Sequence, residues 1–193
     1  MHTLYHTDAY VLKSFPNGDS GKAFYLLTKE FGLVIATAQG IRLDKSKLKY
    51  SLQDFSKSHV TLVKGKGGWR ITTAQPNFNT YLDRPNEENF EIIARAFSLL
   101  SRLLQGEESN IELYEIIDNG VNYLLKNTSV DPKDVECVLV LRILNNLGYI
   151  GDNKDLTFFT IDNDWSNEYI SEIKNERRNA LNEINRAIRE SQL

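Results

Sequence analysis

The sequence holds a single cysteine, Cys137, a single methionine and only three histidines, His2, His6 and His59. One cysteine excludes an internal disulfide and fits a reducing compartment. Zinc needs at least three protein ligands. His2 and His6 are four apart in an extended or frayed segment, where that spacing does not face one site, and no third ligand is near. No metal and no other cofactor is expected. Cys137 lies in the apolar stretch from Val135 to Leu141, with no His or Lys placed to lower its pKa, and reads as a buried structural thiol. Long apolar runs are absent too. Cys137 to Leu141 falls far short of the roughly 20 residues a bilayer needs. Met1 to Phe15 alternates polar and apolar residues and lacks the basic start and apolar run of a signal peptide. These absences point to a soluble, cytoplasmic protein.

Catalytic signatures are missing as well. There is no Ser-His-Asp arrangement, no phosphate loop and no dinucleotide fingerprint. Gly65-Lys66-Gly67-Gly68 is glycine-rich but lacks the Lys-Ser/Thr ending of a nucleotide cradle, so it reads as a hairpin turn. Glu107, Glu108, Glu112 and Glu115 cluster at a helix junction, where a solvated face is the default. The chain is expected not to be an enzyme.

What is present is a charge division. The net charge of −3 conceals two unlike halves. Residues 1–80 carry nine Lys and two Arg against five Asp or Glu, a balance of +6, which leaves −9 for residues 81–193. A basic half beside an acidic half implies a polyanionic partner for the first; chance clustering of solvated charge is the alternative.

The two halves also differ in period. From Leu4 to Gln75 the apolar residues recur every second position, with turn residues between runs. Strands are predicted around Tyr10 and Leu12, over Lys22–Lys29, Leu33–Gln39, His59–Lys64 and Trp69–Ala74. Pro16-Asn17-Gly18-Asp19 makes the first turn. A basic segment, Gly40–Lys57, has room for a short helix within Leu48–Phe55. Three strands, an insertion and a hairpin is the order of a five-stranded OB barrel, although periodicity alone also fits an SH3-like barrel or a bent sheet. From Asn86 the period becomes helical. One helix presents Phe90, Ile93, Phe97, Leu100 and Leu104, and a second presents Leu113, Ile117, Val121 and Leu124. A third opens at Asp131-Pro132 and ends at Gly148. Leu156–Ile161 reads as a short strand. A last helix begins near Ser166, with Tyr169, Ile173, Ala180, Leu181 and Ile184 on one stripe. The polar stretch Pro76–Pro85 is the boundary. The predicted architecture is α+β multidomain: an OB-fold barrel over 1–80, then an all-α helical domain over 81–193.

The binding chemistry lies in the first half. Arg42, Lys45, Lys47 and Lys49 fall in the basic insertion. Lys64, Lys66, Trp69 and Arg70 surround the last hairpin turn, and Lys22 and Lys29 bracket a strand that carries Tyr25. Phosphates call for cations and unpaired bases for flat rings, so a groove with both grips a single strand without reading its sequence. OB barrels bind oligonucleotides on strands two and three and with the loops after strands one and four, here Ser14–Gly21 and Gly65–Gly68. Trp69, just after a Gly-Gly turn, is expected near the surface. Tyr25 is equally a core ring or a stacking ring.

Several stretches resemble the RecO family: Asp19–Gly40, with Thr28-Lys29-Glu30-Phe31-Gly32 and Ala38-Gln39-Gly40; Arg42–Phe55, ending in Leu52-Gln53-Asp54-Phe55; and the hairpin Val60–Ala74. The second half is similar mainly in helical layout and in Leu144–Tyr149. The resemblance implies an OB fold followed by a helical domain. It implies binding of single- and double-stranded DNA, annealing of complementary strands, and loading of recombinase together with RecR and the single-strand-binding protein, on the bacterial nucleoid. Many members of that family carry a four-cysteine zinc module after the Leu-Gly segment; with no cysteine there, this chain is expected to be zinc-free. An acidic tail of the single-strand-binding protein would need a cationic pocket on the acidic helical domain, and Arg95, Arg102 and Arg142 are the candidates. Two other readings stay open: an OB-fold RNA-binding module, and a protein-interaction scaffold that has lost nucleic-acid binding.

Overall fold

The structure, a computed structural model, describes residues 3–79, 83, 86–126, 129–151, 153–161 and 164–191. His2 and part of the expected boundary, residues 80–82, 84 and 85, lie outside the described residues. The chain divides into two compact units. One comprises Met1–Arg84 with Phe97–Ile111; the other comprises Pro85–Ala96 with Glu112–Leu193.

In the first unit, β1 (Leu4–Asn17), β2 (Gly21–Thr28), β3 (Gly32–Ala38), β4 (Lys57–Gly65) and β5 (Gly68–Phe78) form a closed barrel in the order β1-β2-β3-β5-β4. All strand pairs are antiparallel except β3 with β5. Closure leaves no free edge, and this order is that of the OB fold. A bent open sheet is excluded because β3 pairs with β5 while β1 pairs with both β2 and β4, which closes the ring. The alternation of β1 explains its double duty. Ala9 and Val11 point into the barrel core, where Phe24, Leu26, Val34 and Leu62 are fully buried. A register shift between Val11 and Lys13 bends the strand from one partner to the other. Tyr10 and Leu12 face outward yet are buried, and the Tyr10 ring meets Phe97 edge-on at 5.3 Å. Phe97 belongs to α2 (Glu87–Leu103), so the last turns of that helix pack with the barrel. The short helix α1 (Leu48–Ser51) lies between β3 and β4, and buried Leu52 just after it joins the barrel core with Ile41.

The second unit is helical: α3 (Ile111–Lys126), α4 (Pro132–Asn146), α5 (Lys154–Ile161) and α6 (Asn167–Glu190). Its helix ends follow the sequence. The Asp131 carboxylate accepts the Lys133 N–H at 3.0 Å with Pro132 at the first helical position. Gly148 takes φ +78 at the C-terminus of α4, where the Tyr149 N–H reaches the Leu144 carbonyl at 2.8 Å. Ser166 caps α6. Two expectations are corrected. Residues 154–161 are a helix, not a strand. Their β-branched and aromatic content favours a strand, but the Asn153 carbonyl and side chain accept the first N–H groups of the segment, and Leu156 and Phe159, three apart, are its buried pair. Leu181, expected on the buried stripe of α6, is 46% exposed.

Candidate nucleic-acid interface

The outer face of β1, β2 and β3 carries two rows of side chains fixed by register. In one row Lys13, Tyr25 and Ile35 are partners; in the next Phe15, Ala23, Thr37 and Arg70 are. Phe15 and Ile35 are 39% and 50% exposed, and Tyr25 is half-buried. The Phe15 and Tyr25 rings meet edge-on with centroids 5.3 Å apart. Lys13 Nζ stands 4.4 Å from the Tyr25 centroid and 5.9 Å from that of Phe15. Such a cation over an exposed ring is worth about 0.5–1 kcal/mol, enough to hold the ammonium beside the ring face. The result is an aromatic platform with a cation on it and Arg70 at its far side. Lys13, Phe15 and Ile35 were not singled out from sequence. Strict alternation from an inward Val11 would send Lys13 and Phe15 inward as well. The register shift between Val11 and Lys13 turns both outward, opposite Tyr25 and Ala23, and the alternation pattern of the sequence does not reveal it.

A second feature sits at the mouth of the barrel. Lys22, Arg42 and Lys49 line a cleft of about 270 Å³ with Ile41, Leu52 and Gln53. These three cations come from the start of β2, the insertion and α1, and folding alone brings them together. Lys22 Nζ donates to Ser14 Oγ at 3.2 Å, and that hydroxyl donates to Asp54 at 2.7 Å. The Gln53 amide donates to the Lys49 carbonyl. No carboxylate lines the cleft itself, so its potential is positive and it favours an anion.

The β4–β5 hairpin differs from expectation. Trp69 is 6% exposed, packed edge-on against Tyr5 at 5.1 Å and tilted against Phe31 at 5.9 Å. It belongs to the barrel core, because position 69 has the inward parity of Ile71. The glycine turn before it is exposed; the ring is not. Its Nε1 donates to Glu107 at 2.8 Å, and Lys64 Nζ donates to the same carboxylate at 2.6 Å. Those two bonds hold the Glu107 carboxyl below the usual carboxylate range. Lys66 and Arg70 remain exposed, and Arg70 lines a second cleft of about 240 Å³ with Thr37, Gln39 and the hairpin glycines.

A barrel of this strand order, with cations at its mouth and rings on its β2–β3 face, has a match among known families. Residues 1–77 match the family described as recombination protein O N terminal. The barrel belongs to the RecO family. Across a longer stretch the chain is 31% identical to the DNA repair protein RecO of Heliobacterium modesticaldum, covering 76% of this chain and 52% of that protein. It is 30% identical to the DNA repair protein RecO of Thermodesulfovibrio yellowstonii, covering 80% of this chain and 61% of that one. The RecO of Chlorobium limicola is 29% identical over 74% of this chain and 55% of its own length. The chain thus spans between half and three-fifths of the curated RecO proteins it matches.

The remaining candidates distribute unevenly over this RecO-type barrel and the helical unit. Lys45, Lys47 and Lys49 are exposed on the insertion, beside Leu43 and Tyr50, which are 58% and 70% exposed. Tyr50 adds a ring to the basic segment that sequence reading passed over. Lys29 lies beyond the opposite end of β2 from Lys22, roughly 20–25 Å along the strand, so the two do not share a cleft. In the helical unit the Arg95 guanidinium is engaged by Glu136 at 2.6 Å and Glu91 at 3.2 Å. Arg142 is 1% exposed; it donates to the carbonyls of Phe159 and Asp164 at 3.0 and 2.8 Å and lies against the Trp165 and Tyr169 rings. It is a structural arginine that ties α4 to α5 and to the segment between α5 and α6, and it offers nothing to a surface ligand. Arg102 is exposed. Among the described residues no helix is long and apolar enough to cross a membrane, and no group of three or more His, Cys, Asp or Glu could hold a metal ion.

Proposed function

We propose that this chain is a non-enzymatic DNA-binding protein of repair and recombination, acting in the bacterial cytoplasm on the nucleoid. It holds single- and double-stranded DNA on the barrel and anneals complementary strands. The observation that carries this reading is the pairing of an exposed ring platform, Phe15 and Tyr25 with Lys13, and a three-cation cleft at the mouth of the same barrel. Cations bind phosphates of any sequence, and rings stack on unpaired bases at about 1–3 kcal/mol each. A protein that grips backbones while leaving base edges free can bring two strands together. The family supports the same role, along with recombinase loading in company with RecR and the single-strand-binding protein. Of the arginines considered for the acidic tail of the latter, Arg102 is the one that keeps both exposure and no ion pair among those described.

The test is equilibrium binding of the full chain to single-stranded DNA, duplex DNA and RNA of equal length across a salt series. If four to six cations engage phosphates, log affinity for the single strand falls against log salt with a slope of about −3 to −4. Charge reversal at Lys22, Arg42 and Lys49 together should flatten that slope by about 2 and weaken all sequences alike. RNA bound more tightly than DNA would turn the reading toward RNA processing. No salt-dependent binding to any of the three would leave a protein-interaction scaffold.

A further inference from the structure

The β4–β5 hairpin carries a pair of donors aimed at one point. Lys64 Nζ and Trp69 Nε1 both end on the Glu107 carboxylate, one on each oxygen, at 2.6 and 2.8 Å. Trp69 is 6% exposed, so its N–H is a buried donor that must find an acceptor there. Glu107 is not part of the barrel strands. It arrives on the segment that follows α2, at a turn where Gly106 takes φ +79. That segment is seated on the barrel at Gly32, where an added Cβ would lie 2.0 Å from the Glu108 carbonyl oxygen. The seat is therefore built into both the barrel and the segment. Exposed Lys66 lies between Lys64 and Trp69 in sequence, and exposed Arg70 follows Trp69.

A carboxylate and a phosphodiester are both monoanions that present two oxygens to donors, and a geometry that holds one suits the other. From this geometry, and resting on the DNA-binding reading above, we infer that Lys64 and the Trp69 N–H form an anion seat on the hairpin, filled by Glu107 in the free protein and taken over by one backbone phosphate of a bound strand. Glu107 is then an internal competitor of DNA. Binding exchanges one anion for another at Lys64: the phosphate's condensed counterion is released, but the Lys64–Glu107 ion pair is given up in return. The exchange lowers the affinity below what an unoccupied Lys64 would give.

The experiment uses the full chain and a labelled oligothymidylate across a salt series. Glu107→Gln keeps an acceptor for Trp69 but removes the charge; Glu108→Gln removes the same charge from the neighbouring exposed position and leaves the Lys64–Glu107 pair intact. Glu107→Gln should bind about two- to fivefold more tightly than Glu108→Gln, the scale of one exposed ion pair. Its log–log slope should stay close to that of the unaltered protein, since the same phosphates are neutralised. Lys64→Gln added to Glu107→Gln should flatten the slope by about 0.7, the loss of one single-strand phosphate contact. Thermal melting of each variant confirms an intact fold. Equal affinity for Glu107→Gln and Glu108→Gln, or no change of slope when Lys64→Gln is added to Glu107→Gln, with the unaltered protein binding, would overturn the anion seat alone. Failure of the unaltered protein to bind in a salt-dependent way would overturn the DNA-binding reading, and the seat with it.

Discussion

The Lys13 ammonium stands 4.4 Å from the centroid of the Tyr25 ring, and the register of β1 against β2 sets them opposite each other. The pair sits on the barrel's outer face beside Phe15, so a base stacked there would meet a ring and its phosphate a cation. Phe15→Ser and Tyr25→Ser should each weaken single-strand binding by a factor of about 5 to 100, from the loss of one stacking ring. Duplex binding should change less, because paired bases offer no free face. Anisotropy titrations with an oligothymidylate and a hairpin duplex decide it. Equal losses on both substrates would show that the rings do not stack on bases.

Trp69 makes the contrasting case. Its ring is packed between Tyr5 and Phe31, so Trp69→Ala should cost the barrel about 3–5 kcal/mol, the usual range for an aromatic-to-alanine cavity. Trp69→Phe should recover most of that stability, though without a donor for Glu107. Denaturant unfolding of both variants checks this. A fully stable Trp69→Ala barrel would contradict the packing described.

The helical unit holds a buried carboxylate. Asp134 is fully buried, with Arg177 at 2.7 Å and Lys174 at 3.8 Å. Burial pushes its pKa above the ordinary aspartate value, and the Arg177 guanidinium partly offsets this. For a carboxyl with a raised folded pKa, the favourable contribution is complete below the unfolded value and is lost as pH rises through the folded one. Arg177→Met removes the main counter-charge and raises the folded pKa further. The variant should therefore lose about 1–3 kcal/mol at neutral pH, and the deficit should shrink as the medium is acidified toward the ordinary aspartate range. Thermal melts between pH 4 and 7.5 provide the comparison. A deficit independent of pH would assign the loss to packing instead.

Cys137 is 4% exposed on α4, and burial pushes its thiol up to about 11. With the folded pKa raised, the thiol's contribution to stability is complete below its ordinary value near 9 and is lost as pH rises to about 11. The native protein should react with a thiol-specific disulfide reagent far more slowly at pH 8 than the urea-unfolded chain, in which the thiolate is both accessible and more abundant. Comparable rates in the two states would mean that this region of α4 opens readily.

The sequence by itself determined the strand count, the helix caps at Asp131 and Ser166 and the concentration of positive charge in the first 80 residues. Each is a local matter: a period of two or 3.6, a turn residue or a cap needs only a few neighbours to act. It did not determine which aromatic ring is exposed. The inward parity of Trp69 and the outward parity of Phe15 depend on register against other strands. It misassigned Leu156–Ile161, where intrinsic strand preference yields to a cap at Asn153 and the burial of Leu156 and Phe159. It also placed Arg142 among surface cations. Only the tertiary structure decided that Lys22, Arg42 and Lys49 share one cleft while Lys64 is answered by Glu107. Charge is written along the chain, but a binding site is made by which charges meet across it, and residues 27 or 43 positions apart are brought together only by barrel closure and the return of the chain after α2.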